Sequence, residues 1–488
     1  MKSEAISYSN RNSGQAADIV LFDLPTFPKG VLSLSLINVA SSLSKNFKVE
    51  ITDLNFINPV GYLEKQNFSG IKVFGMKVSS QNFTYAKDIS ARLKRKYPRA
   101  TILWGGELPS LLPEECKKYA DCIVAGLFEP VAAEFAQDLT AGNIKPEYRG
   151  DNNFDLSIIP TPQFDLVNSL DSYYSFMGMP LETSRGCTEK CIFCMVHVMQ
   201  KKNYYLRGEE NLASILKNYK GRFVNIVDYN FGVDRQHVIK VSELLARAGV
   251  TGWMAEMCIE ELDDDELLEA MSRSGCRMIY CGLESIDDRA LASVHKMNTN
   301  HVERYEKIIR KAQRHGIQIA AGIIIGLENM DKTTFKNLED FFNRMGLIYG
   351  KLTFLTYNPG TKVQAYMKKK GEFITEDITR YDGNHLTYVP TGLDIPSVLS
   401  GAEEFIKRFY SNGAIIKRSF NTRLSFWRRI EFIIFNLCYR DAYFKWLDEN
   451  VLLDTKGIDR LMGQPFKKST TVNLLERVLI FSRNLRPL

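Results

Sequence analysis

Two long blocks of the sequence alternate short apolar runs with amphipathic segments, and few folds accommodate such a pattern. Strands that are separated by helices pair in parallel, so the alternation predicts parallel sheets with helices on both faces. In the first block, residues 18–142, the predicted strands are 18–22, 49–53, 71–76, 101–104 and 122–125, and the predicted helices are 32–44, 85–97, 114–119 and 130–139. This block therefore predicts a doubly wound α/β domain, in which ligands bind at the carboxyl ends of the strands.

The second block, residues 181–392, repeats the alternation with six strands. They are predicted at residues 181–183, 223–227, 253–257, 278–281, 317–325 and 351–356, with helices such as 264–274 and 301–315 between them. Six strand and helix units predict a partial (β/α)6 barrel. Functional groups of such a barrel lie at the carboxyl ends of its strands.

The remaining segments predict a flexible N-terminus (1–17), a linker rich in Asn, Asp and Pro (143–180) and a helical C-terminal region (393–488). The apolar stretch 430–438 favours a helical cap on the barrel, with a helix on a membrane surface as the alternative. No apolar run is long enough to predict a transmembrane segment. The net charge of +6 is mixed in sign along the chain and does not indicate a nucleic-acid partner.

Three of the nine cysteines, Cys187, Cys191 and Cys194, lie within one short segment. Soft thiolates at this spacing suit an iron–sulfur cluster or zinc. A structural zinc ion normally takes four ligands, and His197 would supply the fourth. In a four-iron cluster, three cysteines leave one iron open to another ligand. Such a metal cluster, without a disulfide framework, predicts a cytoplasmic protein.

The CxxxCxxC spacing, with Phe193 directly before Cys194, resembles the signature of radical S-adenosylmethionine (SAM) enzymes. The resemblance implies a [4Fe–4S] cluster whose open iron chelates SAM. It further implies an external one-electron reductant of the flavodoxin or ferredoxin type, and reductive cleavage of SAM to the 5′-deoxyadenosyl radical. That radical abstracts hydrogen from a substrate carbon.

Residues at the ends of the later barrel strands extend this resemblance. Glycine allows a flat ring to approach the backbone closely, as adenine would. The resemblance implies that the SAM-binding residues are Asp228, Asn230, Glu256, Glu284, Ser285, Gly322 and Gly326, together with Phe193.

An α/β domain ahead of the barrel is similar to the cobalamin-binding group of this family, which implies ligand contacts at Ser79, Gly105, Gly106 and Gly126. The sequence departs from that group because no histidine precedes His197, so this domain has no histidine ligand for cobalt. Glu107 replaces a common histidine, and Leu127 and Phe128 bring bulk to a loop that is usually small. A working cobalamin site and a vestigial one both remain open.

Two enzymatic functions follow from the resemblance. The first is cobalamin-dependent C-methylation in natural-product biosynthesis, on a small molecule or a peptide. The second is epimerisation of a peptide residue, with Cys258 as the preferred hydrogen donor and Cys281 as the other candidate. Tyr357 and His385, with Asp382 and His197, are candidate acid–base residues. A third reading, a non-enzymatic cobalamin-binding module, leaves the cysteine loop unexplained.

Overall fold

The computed structural model describes residues 17–26, 33–55, 58–151, 155–167, 178–200, 203–359, 361–370, 375, 377–422 and 424–450, without the side chains of 158, 197, 200, 362, 370 and 441–450. The chain divides into two compact units, one formed by 1–154 with 158–177 and the other by 155–157 with 178–488. The predictions for residues 1–16 and 451–488 lie outside the described residues, as does the side chain of His197.

The first unit contains a parallel sheet of six strands in the order β2-β1-β3-β4-β5-β6. The chain order reverses beside β1, and in open α/β sheets such a point is where ligands bind. The strands are β1 (Ile19–Asp23), β2 (Val49–Asp53), β3 (Val73–Lys77), β4 (Thr101–Gly105), β5 (Cys122–Gly126) and β6 (Glu147–Gly150).

The strand β6 corrects the predicted linker 143–180. Glu147–Gly150 pairs in parallel with β5, from Ile123 beside Glu147 to Gly126 beside Gly150. Its side chains alternate between buried and exposed positions over only four residues, and one of them, Tyr148, is buried. Such a short and polar edge strand has too little hydrophobic periodicity to predict it from sequence.

Helices cover the first sheet, and their apolar sides form its core. Phe22, Phe68 and Phe74 pack there as aromatic neighbours with centroids 5.6–6.0 Å apart. The helices of this unit are Leu34–Leu43, Pro59–Lys65, Phe83–Lys96, Glu107–Leu111, Pro113–Cys116 and Ala132–Ala141.

The second unit confirms the predicted partial barrel. Its six parallel strands follow chain order across the sheet, and all eight residues of β13 are buried. These strands are β7 (Met179–Leu181), β10 (Phe223–Ile226), β11 (Gly252–Glu256), β12 (Cys276–Glu284), β13 (Gln318–Ile325) and β14 (Tyr349–Phe354). Two further strands, β8 (Ser184–Gly186) and β9 (Tyr204–Leu206), form an antiparallel pair that the sequence analysis did not predict.

The helices of the second unit are Val196–Gln200, Glu209–Leu216, Arg235–Ala248, Asp265–Arg273, Asp288–Ser293, Val302–Arg314, Thr334–Met345, Lys362–Lys370, Ile395–Phe409, Asn412–Phe420 and Phe426–Asn450. The last three confirm the predicted helical C-terminal region. Leu424 and Phe432 are buried against Ala320 and Ile348, near the amino ends of β13 and β14. Burial of a side chain such as that of Phe432 contributes about 2 kcal/mol. Among the described residues, no helix is long and apolar enough to cross a bilayer.

Candidate active site

The loop that carries the three cysteines is framed by the antiparallel pair β8 and β9. Gly186, directly before Cys187, adopts a φ of +97°, and a Cβ at this position would lie 1.8 Å from the carbonyl oxygen of Asn203. Only glycine fits there. The start of the cysteine loop is therefore determined by backbone geometry that no other residue type allows.

Asp228, at the end of β10, connects that strand to the cysteine loop. Its buried carboxylate accepts hydrogen bonds from the Thr183 backbone N–H (2.7 Å), the Thr183 hydroxyl (2.6 Å) and the Ser184 hydroxyl (2.7 Å). Burial raises the pKa of Asp228 to about 6, although these hydrogen bonds oppose the rise. Because its oxygens already accept three bonds, the structure gives Asp228 the geometry of a positioning residue.

A buried ion network supports the same loop. Glu182 accepts hydrogen bonds from Arg185 Nε (2.6 Å) and Nη2 (2.9 Å), and also from Arg207 Nη2 (3.2 Å). Burial alone would raise the pKa of Glu182, but the two guanidinium groups outweigh it and hold that pKa below its usual range. Buried charges of this kind are tolerated only when they are paired, so the network holds the loop in one arrangement.

The cysteines themselves lie where the loop packs on the barrel. Cys191 is buried, while Cys187 and Cys194 are half-buried. The neighbouring Ile192 and Phe193 pack against an apolar cluster that includes Val294, Ile324 and Tyr357. Burial raises the pKa of the Cys191 thiol to about 12. A bound metal reverses that effect, because a coordinating thiol loses its proton.

Within the part of the chain that the structure describes, no three His, Cys, Asp or Glu side chains are close enough to hold a single metal ion. A four-iron cluster requires less, since each cysteine binds a different iron. Three thiols in one loop, without a described fourth ligand, match the donor set of a cluster that keeps one iron open.

A buried lysine, Lys296, lies beside this loop and was not predicted from the sequence. Its Nζ is 3.7 Å from Glu284 Oε1, and it interacts electrostatically with Cys191 and Cys258. Glu284 adopts a φ of +61° at a register shift in β12, an unfavourable conformation for a residue with a side chain. The lysine follows β12 by twelve residues, in a segment that has no periodic pattern to indicate it.

Asn230 and Cys258 meet at the ends of β10 and β11. The Asn230 Nδ2 donates to Glu261 Oε1 (2.8 Å) and to Cys258 Sγ (3.4 Å), and the Cys258 N–H donates to Glu261 Oε2 (3.0 Å). Burial raises the pKa of Glu261 to about 7. Cys281 is fully buried in the interior of β12, and Ser285 accepts a bond from the Asp287 N–H (3.1 Å).

At positions 322 and 326 of the predicted SAM site, nearby tyrosine side chains leave no room for a Cβ atom, which favours glycine. A Cβ on Gly322 would lie 2.2 Å from the Tyr280 hydroxyl, and one on Gly326 would lie 2.4 Å from the Tyr388 hydroxyl. Tyr388 donates a hydrogen bond to the Gly326 carbonyl. Glu256 ends β11, and its side chain is exposed to solvent at one side. Protein atoms surround the rest of its carboxylate, and this burial raises its pKa.

Two of the four predicted acid–base residues, Tyr357 and His385, differ in their surroundings. Tyr357 is buried in the apolar cluster beside Phe193, with its ring 5.2 Å from that of Tyr388. His385 is half-buried, and its Nδ1 is 3.0 Å from Asp382 Oδ1. A carboxylate that holds Nδ1–H leaves Nε2 free to accept a proton, so His385 has the geometry of a base.

In the first unit, the predicted ligand residues lie at the carboxyl edge of the sheet. Ser79 caps the turn after β3. Gly106 and Gly126 have φ values of +100° and +85°, which residues with a side chain rarely adopt. Gly105 ends β4, and a Cβ there would meet only ordinary contact. Phe128 is buried against Phe135 with centroids 5.6 Å apart, so its ring belongs to the core of this unit.

Residues 181–342 match the sequence model described as the radical SAM superfamily. These residues form a radical SAM domain. The match begins in β7, contains the cysteine loop and ends in the helix Thr334–Met345. It confirms the resemblance that the spacing of the cysteines indicates.

Curated relatives of the radical SAM chain include methyltransferases. The bacteriochlorophyllide d C-12(1)-methyltransferase of Chlorobaculum tepidum is 26% identical over 79% of this chain and 84% of its own length. The hopanoid C-2 methylase of Rhodopseudomonas palustris is 22% identical over 59% of this chain and 55% of its own length.

Solved structures resemble both units of this radical SAM protein. The cobalamin-dependent radical SAM enzyme OxsB, with aqua-cobalamin and SAM bound, aligns with a TM-score of 0.66 at 15% identity, over 96% of this chain and 80% of its own. The radical SAM methyltransferase TsrM from Kitasatospora setae, with cobalamin and a [4Fe–4S] cluster bound, aligns at 0.62 and 15%, over 88% and 99%. At such low identity, these likenesses show the fold. The chain thus contains a radical SAM domain and has methyltransferase relatives, and the domain implies a [4Fe–4S] cluster, SAM, a substrate and a reductant.

Proposed function

We propose that this protein is a cobalamin-dependent radical SAM methyltransferase that methylates a carbon atom of a natural-product intermediate. The observation that carries the proposal is the likeness to cobalamin-dependent enzymes across both units, joined to relatives that are methyltransferases. The peptide epimerase alternative finds no support among these relatives. Its preferred donor, Cys258, is already hydrogen-bonded to Asn230.

Cys187, Cys191 and Cys194 would hold the cluster, and the strand-end residues Glu284 and Ser285 would contact SAM. When bound, this cluster would supply one electron for the reductive cleavage of SAM. The chain's own contribution is positional. Asp228 holds the base of the cysteine loop through Thr183 and Ser184, and Lys296 places a buried positive charge beside the thiolates.

Two features of the carboxyl edge of the first sheet support cobalamin as its ligand. The Ser80 hydroxyl, directly after β3, is buried and has no hydrogen-bond partner among the described residues. Gly105 leaves space at the end of β4, and Phe128 does not occupy that edge because it packs into the core. Cobalamin, when bound, supplies a methyl carrier, and its amide side chains match such polar partners. Ser79, Gly105, Gly106 and Gly126 are its proposed contacts.

The substrate side of the proposal rests on the loop after β14. His385 Nε2 is positioned to accept a proton from the substrate while Asp382 holds the opposite ring nitrogen. Tyr357 is enclosed by apolar side chains, so its proposed contribution is to shape the site and exclude water. The reaction is proposed to occur in the cytoplasm, with a flavodoxin- or ferredoxin-type protein as the electron donor.

The test is anaerobic reconstitution with iron, sulfide and hydroxocobalamin, followed by desalting and measurement of the corrinoid per chain. The C187A/C191A/C194A variant is the control, because it should lose iron and keep the corrinoid. Incubation of the wild type with reductant and SAM should then yield both S-adenosylhomocysteine and 5′-deoxyadenosine. A protein that retains no corrinoid and forms only 5′-deoxyadenosine would contradict methyl transfer and return the epimerase to consideration.

A further inference from the structure

Three polar side chains form a layer on the inner face of the barrel, below the strand ends of the SAM site. Strand register places them side by side: Glu256 pairs with Tyr280, and Lys351 pairs with Gly322 on the strand next to that of Tyr280. The Tyr280 hydroxyl extends over Gly322, which is the glycine directly beside Lys351. The phenol therefore reaches across β13 towards the lysine.

The layer is closed below by side chains and flanked above by a loop. Met278, Ala320 and Tyr349 pack with Phe432 and Phe435 of the C-terminal helix beneath it. Above it, the 381–385 loop meets β14, where the Phe354 N–H donates to the Gly383 carbonyl (2.7 Å). The layer thus lies between the C-terminal helix and the loop at the carboxyl end of the barrel.

None of the three polar groups is satisfied by its neighbours. Lys351 Nζ, the Glu256 carboxylate and the Tyr280 hydroxyl make no hydrogen bond or ion pair at contact distance with any residue that the structure describes. Lys351 and Glu256 nevertheless influence each other electrostatically, and Asp382 also acts on the lysine. Burial lowers the pKa of Lys351, which is the expected effect of enclosing an ammonium without a close partner.

Lys351 and Tyr280 are half-buried and the Glu256 side chain is exposed, so their polar groups are open to solvent and to a ligand. Two charges that are buried more deeply near this site are paired: Glu182 has two arginines and Lys296 has Glu284. The contrast indicates that the layer is arranged for a molecule and contributes little to the stability of the barrel.

We propose that Lys351 and Tyr280 donate hydrogen bonds to an anionic oxygen group of the substrate, a carboxylate or a phosphate, while Glu256 accepts from a donor on the same molecule. This inference rests on the proposed function and deepens it by naming the substrate class. The layer then selects substrates that carry an acidic group, and it holds them below the radical-forming site.

The test uses acylation of lysines in the reconstituted holoenzyme, under anaerobic conditions, with N-succinimidyl propionate at a limiting dose. Mass spectrometry reports the modification rate of each lysine in sodium acetate, in sodium phosphate and in sodium chloride of equal ionic strength. Lys336 is the internal control, because it is exposed and forms an ion pair with Asp340. Lys351 should react in chloride and be protected about threefold by a binding anion, as for a ligand at twice its dissociation constant.

Protection by acetate alone identifies a carboxylate, protection by phosphate alone identifies a phosphate, and protection by both supports the shared chemistry. The Y280F variant should reduce the protection. A Lys351 that does not react in chloride, or one that neither anion protects, overturns the proposal. Because labelling needs no turnover, this result is independent of whether methyl transfer is observed.

A second measurement separates a ligand-binding role from a structural one. The K351M variant removes an unpaired charge, so its thermal midpoint should equal or exceed that of the wild type. Acetate or phosphate should raise the midpoint of the wild type and of K336M but leave that of K351M unchanged. A lower midpoint for K351M would show that the lysine stabilises the barrel and would overturn the proposal.

Discussion

The two parallel sheets of this protein differ in how far the polar side chains at their carboxyl ends are hydrogen-bonded to one another. In the barrel, side chains from successive strand ends are bonded to one another, as in Asp228 with Thr183 and Ser184. In the first unit, the edge carries Asp23, Asp53 and Glu107 with few mutual bonds and raised pKa values.

The difference concerns preorganisation. A loop that must present three thiolates to one cluster needs a fixed geometry, and cross-strand hydrogen bonds supply it before the metal binds. An edge that contacts a large ligand through many weak interactions needs open space and polar atoms without partners, such as the Ser80 hydroxyl. The barrel edge is therefore cross-linked by hydrogen bonds, whereas the first edge carries polar groups with fewer mutual bonds, which the proposed corrinoid would contact.

The largest expected effect tests the barrel edge directly. Replacing any one of Cys187, Cys191 and Cys194 with Ala should abolish the iron–sulfur absorption and the formation of 5′-deoxyadenosine. The reason is that these three thiolates are the proposed protein ligands of the cluster, and two do not hold it. Iron and sulfide analysis provides the measurement. The C276A variant, which alters a buried cysteine in β12, should keep both, and a loss there would mean that the assay reports stability instead of ligation.

The second prediction concerns the bonds that preorganise the loop. D228A leaves the Thr183 N–H and two hydroxyls without an acceptor and should lower the free energy of unfolding by about 3 kcal/mol. Urea denaturation of the metal-free protein measures this, and iron uptake should fall with it. D228N keeps the shape and should lose less. If both variants matched the wild type in stability and iron uptake, contacts other than those of Asp228 would hold the cysteine loop in place.

The third prediction tests the first edge through pH. Burial and the Asp53 charge raise the pKa of Asp23 to about 7, and burial raises that of Glu107 to about 7. Lys77 opposes both shifts, and the Ser33 N–H opposes the first. The folded state therefore binds more protons than the unfolded state between pH 4 and 7, and stability falls as the pH rises through that window, by about 1.4 kcal/mol for each unit by which a pKa is raised. Hydrogen exchange of β1–β5 peptides measures it. The D23N/E107Q variant should flatten the dependence, and an unchanged slope would assign it to other groups.

The smallest expected effect belongs to Ser80. Because its buried hydroxyl has no described partner, S80A should leave the stability of the ligand-free protein unchanged or raise it by up to about 1 kcal/mol. The same variant should release hydroxocobalamin faster during desalting. S79A, at the neighbouring residue that caps a turn, should instead lower stability. Equal corrinoid retention by wild type and S80A would remove Ser80 from the ligand contacts.

The sequence predicted the strands well where hydrophobic runs were continuous. The prediction of 49–53 matches β2 residue for residue, and that of 317–325 differs from β13 by one residue. It missed the short pair β8 and β9 and the edge strand β6, because three or four residues with polar neighbours carry no measurable periodicity. It also named Asp228 and Asn230 as SAM contacts, and that stays a prediction; in the structure Asp228 accepts a hydrogen bond from Thr183 and Asn230 donates one to Glu261.

The chemistry of the protein was determined by the sequence alone, since three cysteines at CxxxCxxC spacing need no tertiary information to indicate a cluster with an open iron. The tertiary structure decided which polar residues are free for a ligand. Lys296 and Lys351 are unremarkable in the sequence, yet the fold buries one beside Glu284 and leaves the other without a close partner. Burial and pairing depend on contacts between strands distant in the chain, and these contacts set the cost of each charge.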